Sequence, residues 1–420
     1  MSKVFLDRYA SVFGRPSAMM LRIAGLTASE YTGQGAIITD ETGREWLDFG
    51  SFGLHLLGHR HPHIVAAAQA QLGQMGLSTK ILANAPSLAA AERLAELALP
   101  GTPAGVMFGN SGSEAVEIAV KMARMATGRQ GFLALNGGYH GRTDGALCLS
   151  SNYASHAGSP AVHKTVFITA GDIVAAEEAL ATRTIAAAFI EPIQGEGGIH
   201  PMPEGFLTAL REVCTRHGTL LISDEIQTGL GRGGTLVTCS DADILLFGKI
   251  LAGGIIPVSA AVFRSDVIGS KARDPIASAS SYAGGPLAGA VVGAVLDVVT
   301  ASNFLPKLQA KGDAFLTHLR QAIGSSPGVS AIRGAGMMFG IELTNPQMAG
   351  EVLLEAASRR LLLSFCLSAP SVLRCYPPAV ATESEMTTAL EVLRISIEIA
   401  WQRIHDSNQG GRPVAPSLTH

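Results

Sequence analysis

From about Ala104 onward the chain settles into one rhythm, and that rhythm constrains its fold more than any other feature. Seven short apolar runs follow one another: GVMF, GFLAL, KTVFI, AAAFIEP, TLLISD, DILLF and PVSAAVF. They do not alternate apolar with polar residues, and turn formers bound them. Such runs suit strands covered on both faces. Between several of them lie helical patterns such as EAVEIAVKMARMA and GFLTALREVCTRHG. Strand–helix alternation predicts an α/β fold around a largely parallel sheet, since parallel neighbours need a crossover that a helix supplies.

The flanks read differently. GAIITDETGREWLDFG, from about Gly35, predicts two short strands around an Asp-Glu-Thr-Gly turn. His61-Pro62 opens a helix over IVAAAQAQL, and Ser87 is expected to cap LAAAERLAELAL. After about Ala301 come further helices, a strand-like GMMFGIEL and a last helix ending near Trp401. The final NQGGRPVAPSLTH has no periodicity and reads as a loose tail. The expected division is a large domain over residues 69–303 and a smaller lobe built from residues 1–68 and 304–405, with a tail over 406–420.

Composition narrows the setting. A 420-residue chain with 47% hydrophobic and 15% charged residues can bury a large core without disulfides or structural metals. A net charge of −3 gives no basic surface for nucleic acid or an anionic membrane. Cys148, Cys214, Cys239, Cys366 and Cys375 are scattered, with no CxxC pair, as expected of reduced thiols in a cytoplasmic protein. The N-terminus lacks a signal-peptide core. The longest apolar stretch, Pro286 to Leu296, is shorter than the ~20 residues of a membrane span.

Open parallel sheets bind ligands at the carboxyl ends of their strands. Placed there are Gly109-Asn110-Ser111-Gly112-Ser113, Tyr139-His140, Glu191, Asp224-Glu225-Ile226-Gln227 and Gly248-Lys249. The NSGSEA loop opens a helix; alone it reads first as a plain Ser cap with Glu114 in the first turn, and only together with the rest of the rim as a site for an anion such as phosphate. Lys249, between an apolar strand and a glycine turn, is poorly placed for solvent. A desolvated amine suits Schiff-base chemistry, and a snorkelling surface lysine is the alternative. Asp224 ends a buried strand and needs a cation, which a pyridinium nitrogen or a structural ion pair would supply.

Taken together, GNSGSEAVEIAVKMAR, YHGRT, FIEPIQGEGG, LLISDEIQTGLGR, LLFGKILAGG and SYAGGPLAG resemble, in order and spacing, the class III (ω-)aminotransferases. The likeness runs from about Gly35 to Trp401, and the chain looks nearest to ornithine-, acetylornithine- and putrescine-type members. The resemblance implies a fold-type I pyridoxal 5'-phosphate (PLP) enzyme, with a mostly parallel seven-stranded sheet and a small α+β lobe. It implies that Lys249 carries the cofactor and shuttles protons, that Asp224 pairs with its ring nitrogen, and that Gln227 meets its phenolic oxygen. Tyr139 and Ile226 would cover the two ring faces, and Ser111, Gly112 and Ser113 would hold the phosphate, with His140 and Glu191 completing the cradle. Ser281 matches a residue that reaches the phosphate of the partner subunit in a homodimer. Arg374 matches a binder of the substrate carboxylate, Glu196 the glutamate that pairs with it, and Arg142 a second carboxylate binder. Phe52 and His55 would line the substrate mouth.

The departures cluster away from the cradle. Gly284-Gly285-Pro286 lacks the asparagine of the family's GGNP, and Ala283 replaces a glycine. The stretch after Arg232 is short, and SKARDPIASAS precedes Ser281 as an insertion. His55, His59, His61 and His63 resemble the family's structural GHxHP turn rather than a metal site. The leading expectation is transamination between an amino acid or amine and an oxo acid or aldehyde. The cradle by itself also fits elimination or replacement, C–C bond formation and epimerisation on the same cofactor, or a silent scaffold. Retention of Lys249, Asp224 and the phosphate loop together argues against the scaffold.

Overall fold

The seven apolar runs become seven strands of one sheet: β1 (Ala104–Gly109), β2 (Gly131–Leu135), β3 (Thr165–Ile168), β4 (Ile185–Ile190), β5 (Leu220–Asp224), β6 (Ile244–Phe247) and β7 (Ser259–Arg264). This is a computed structural model, and it describes residues 3–15, 18–19, 21, 28–152, 162–270 and 280–410. The strand order is β1-β7-β6-β5-β4-β2-β3. β2 to β6 pair in parallel, while β7 runs antiparallel to both β6 and β1. β4, β5 and β6 are buried at every position, which is why their sequences show no alternation.

Helices cover both faces. On one, α1 (Gly112–Thr127) turns Val116, Ile118, Ala119 and Met122 onto Phe132, Ile222 and Leu246 of the sheet. Each fully buried Val, Ile or Met of this kind contributes about 1.5–3 kcal/mol. Ser111 caps α1, and Gly128, at φ 70°, ends it in the left-handed conformation that glycine adopts without strain. On the other face lie α2 (Pro286–Val299) and the preceding helix Ala85–Ala98, both in the largest core cluster. The apolar run Pro286–Leu296 is thus a core helix, and among the described residues no single helix is long and apolar enough to cross a membrane.

Segments from the two ends of the chain meet in a further sheet. Strands Glu30–Gln34, Ile37–Asp40 and Glu45–Asp48 form a sheet completed by Leu361–Leu362, which pairs in parallel with Leu47 and Asp48. A second, antiparallel sheet takes Val329–Ala335, Met338–Leu343, Ala369–Cys375 and Ser364–Cys366. Two local expectations are corrected. Asn84, not Ser87, caps the helix Ala85–Ala98: its side chain accepts from Ser87 N at 3.0 Å, and Pro86 fits the first turn. Ser87 Oγ instead donates to Gly284 O and Gly285 O at 2.8 and 2.9 Å. The last helix runs Glu383–Gly410, past Trp401 and through the start of the expected tail. The rest of that tail, 411–420, and most of the SKARDPIASAS insertion, 271–279, lie outside the described residues.

Candidate active site

The carboxyl ends of β1, β2, β4, β5 and β6 open onto a cavity of about 550 Å³. At the end of β1, Ser111 Oγ accepts from Glu114 N at 3.2 Å, and Glu114 Oε2 accepts from Asn110 N and Nδ2 at 2.9 and 2.8 Å. The hydroxyl ties the turn, and the start of α1 lines the cavity, where a helix N-terminus favours negative charge. A Cβ on Gly112 would come within 3.1 Å of Ile226 Cδ1, so any side chain here crowds a methyl that would have to give by a few tenths of an ångström. Ser113 Oγ accepts from Arg142 N at 3.1 Å.

The floor is charged. Asp224, at the end of β5, accepts from Ile226 N at 3.1 Å and pairs with His140 Nδ1 at 2.8 Å. Burial opposes charge on His140, but the Asp224 hydrogen bond and the charges of Asp224 and Glu191 outweigh it and raise its pKa. Because a carboxylate can only accept, Nδ1–H of His140 faces Asp224 as the donor. Glu191 accepts from Tyr139 N at 2.8 Å and Gly195 N at 3.3 Å. Its burial, against the charge of His140, pushes its carboxyl up to about 7.

Lys249 follows β6 through Gly248 and begins a short 3-10 turn, Lys249–Ala252. Its φ of 41° is a left-handed conformation that costs a non-glycine residue on the order of 1–3 kcal/mol. That strain is held by the buried strand before it and aims the amine into the cavity wall. Burial pushes the Lys249 amine down, with Glu196 and Asp224 opposing and Arg374 assisting.

Beside the floor lies a buried ion pair. Arg374 Nη1 donates to Glu196 Oε1, Arg374 Nε to Ser364 Oγ at 3.2 Å, and Leu367 N to Glu196 Oε2 at 2.9 Å. The guanidinium is fully buried, held between the rings of Phe52 at 5.3 Å and Tyr376 at 5.8 Å. Burial opposes its charge, but Glu196 raises its pKa overall. Its Nη2 is buried and has no hydrogen-bond partner among the described residues, and neither Arg374 nor Glu196 lines the cavity itself.

The structure brings ten of the sequence-predicted cradle residues to one cavity: Ser111, Gly112, Ser113, Tyr139, His140, Glu191, Asp224, Ile226, Gln227 and Lys249. His55 sits in the wall shared with an adjoining groove of about 820 Å³ that Phe52 also lines. Burial and the neighbouring His59 hold the His55 imidazole down to about 4, so it is neutral. Arg142 is exposed, its Nε donating to Tyr139 Oη at 3.3 Å. Ser281 is exposed and does not line this chain's own cavity. His59 binds Asp48 at 2.7 Å and His63 binds Asp297 at 2.9 Å, each with its own carboxylate. Sequence reasoning passed over Tyr376, which donates to Gln227 Oε1 at 2.8 Å. Tyr376 stands just beyond the strand that ends at Cys375, and nothing local in the sequence marks a partner 149 residues away.

The sequence profile described as "Aminotransferase class-III" matches residues 26–397. The chain belongs to the class III aminotransferases. It is 35% identical to the acetylornithine aminotransferase of Mycolicibacterium smegmatis, over 88% of this chain and 93% of that one. It is 37% identical to that of Methanopyrus kandleri, over 86% and 92%. Among solved structures it resembles an ornithine aminotransferase from Toxoplasma gondii, with TM-score 0.83 and 28% identity over 96% and 98% of the chains. N-acetylornithine aminotransferase from Stenotrophomonas maltophilia follows with TM-score 0.76 and 29% identity over 91% and 99%. As a class III aminotransferase of fold type I, the chain is a PLP-dependent enzyme that carries out transamination. The residues present fit that cofactor. A cavity of about 550 Å³ unites a desolvated lysine, a carboxylate held by His140 and a helix start lined by Ser111, Gly112 and Ser113.

Proposed function

We propose that Lys249 holds PLP covalently, that Asp224 pairs with its ring nitrogen, and that Ser111, Gly112 and Ser113 bind its phosphate. Tyr139 and Ile226 cover the two ring faces, and Gln227 meets the phenolic oxygen. Once bound, PLP supplies an electron sink that eases removal of the proton next to the amino group. The chain's own residues do the rest. Lys249 Nζ, released when the amine of the donor takes its place on the cofactor and lowered in pKa by burial, would be the base that takes and returns that proton. His140 orients Asp224 and balances its charge.

The observation that carries a substrate reading is the buried ion pair of Arg374 and Glu196. Donors with a carboxylate engage Arg374; donors without one leave it paired to Glu196. Relatives named for acetylornithine and ornithine make a diamino acid, or its N-acylated form, the donor class to try first. Arg142, at the exposed rim beside Tyr139, is placed for a second carboxylate. The test is a panel of amino donors scored for released oxo acid or aldehyde, in wild type and Lys249→Ala, with borohydride trapping and peptide mapping. Cofactor trapped on a lysine other than 249 would refute the assignment.

The exposed Ser281 suits a homodimer in which each chain completes the other's phosphate site. The pairing of strand Leu361–Leu362 with Glu45–Asp48 supports a small lobe from residues 1–68 and 304–405 around a large domain of 69–303. Five buried, unpaired cysteines fit a reducing, cytoplasmic setting.

A further inference from the structure

We infer that Tyr376 is a positioning residue: its hydroxyl fixes the Gln227 amide so that the N–H end, not the carbonyl, faces the cofactor. The inference rests on the proposed placement of Gln227 against the phenolic oxygen of PLP. A primary amide has a donor end and an acceptor end of nearly the same shape, and a half-turn exchanges them. Only the donor end can stabilise an ionised phenolic oxygen, so a glutamine in this position needs something to choose its orientation.

Tyr376 is 3% exposed and its hydroxyl donates to Gln227 Oε1 at 2.8 Å. No other hydrogen bond of that hydroxyl occurs among the described residues. A half-turn of the amide would set a buried O–H against an N–H₂, leaving the donor without an acceptor. The phenol itself is fixed. Tyr376 N donates to Phe49 O at 2.8 Å, and the ring lies 3.4 Å from where a Cβ of Gly53 would stand. The Arg232 and Arg374 guanidinium groups sit at 5.5 and 5.8 Å from its centroid. Burial pushes the phenol's pKa well up, so the hydroxyl keeps its proton although two cations flank it. The amide is confined from below as well: a Cβ on Gly195 would fall 1.7 Å from Gln227 Oε1, so the carbonyl end occupies space that only glycine leaves open.

The test is a pH titration of the visible absorbance of the bound cofactor in the holoenzyme. Removing an N–H donor from the phenolic oxygen leaves more negative charge beside the imine nitrogen and raises the pKa that this titration reads. Gln227→Ala should raise it, and Tyr376→Phe should raise it by about 0.5–1 pH unit, the scale of one net hydrogen bond. The double variant should match Gln227→Ala alone, since Tyr376 acts only through Gln227. Fluorotyrosine placed at position 376 keeps the ring and makes a stronger donor. It should move the value downward, and it serves equally if the Phe variant does not fold. An unchanged titration in Gln227→Ala would remove Gln227 from the cofactor and the inference with it. A shift in Gln227→Ala with none at position 376, or additive shifts in the double variant, would leave Gln227 in place and overturn the role of Tyr376.

Discussion

Asp224 and Glu191 sit on the same cavity floor and are treated differently by their surroundings. Asp224 meets His140 at 2.8 Å, so its charge is balanced; Asp224→Asn keeps the size and removes the charge. The expected result is retained cofactor with the amino-donor half-reaction slowed by about 10²–10³-fold, the scale for losing one preorganised electrostatic partner. Stopped-flow measurement of that half-reaction checks it, and near-normal turnover would release Asp224 from the role. Glu191 receives only backbone N–H groups, and burial lifts its carboxyl to about 7. The folded apoprotein then binds a proton that the unfolded chain, with an ordinary glutamate, releases. Stability is fully present below the unfolded value and falls as pH rises through about 7. Denaturation at pH 5 and 8.5 should show wild type losing on the order of 1–3 kcal/mol that Glu191→Gln does not lose. Arg374→Ala is expected to cost carboxylate-bearing donors about 2–4 kcal/mol in kcat/KM and simple amines much less. Equal losses for both would mark Arg374 as structural.

Elements carry their own tests. Helix α2 crosses the helix Ala85–Ala98 so closely that a Cβ on Gly289 would lie 2.4 Å from Pro86 C and Ser87 N. In an isolated helix, glycine to alanine gains about 1 kcal/mol. Here the added methyl meets backbone rather than a movable side chain, and overpacking of this kind costs about 1–3 kcal/mol. Gly289→Ala should therefore lower the thermal midpoint, and an unchanged or higher midpoint would show that the two helices can part. The same pair of helices explains why the Ser87 cap was misread. Two serine or asparagine candidates precede the apolar run, and local sequence does not say that Ser87 Oγ is taken by Gly284 O across the fold.

At the scale of the molecule, the single chain leaves Ser281 exposed and outside its own cavity. If a second chain completes the site, Lys249→Ala and Ser281→Ala are complementary. Each variant alone should be impaired, and subunit exchange between them should restore activity to one intact site per mixed dimer. No recovery after exchange verified by native mass spectrometry would confine Ser281 to its own chain or to no role.

The central sheet was legible because β4, β5 and β6 are buried on both faces, which leaves an unmistakable run of apolar residues for each. The rim was legible for a related reason: a parallel sheet places strand-end residues together whatever the loops do, so Ser111, Asp224 and Lys249 could be joined before any coordinates. Antiparallel β7 was not distinguished from its neighbours, since burial on both faces writes the same pattern for either direction. The return of Leu361–Leu362 to pair beside Leu47 was hidden too, as a contact across some three hundred residues leaves no local periodicity. The hydroxyl of Tyr376 and the amide of Gln227 lie 149 residues apart in sequence. Sequence determined that a lysine, an aspartate and a small-residue loop would share one edge. Tertiary packing decided which buried groups face one another there, because partners of a hydrogen bond are set by distance and direction in space.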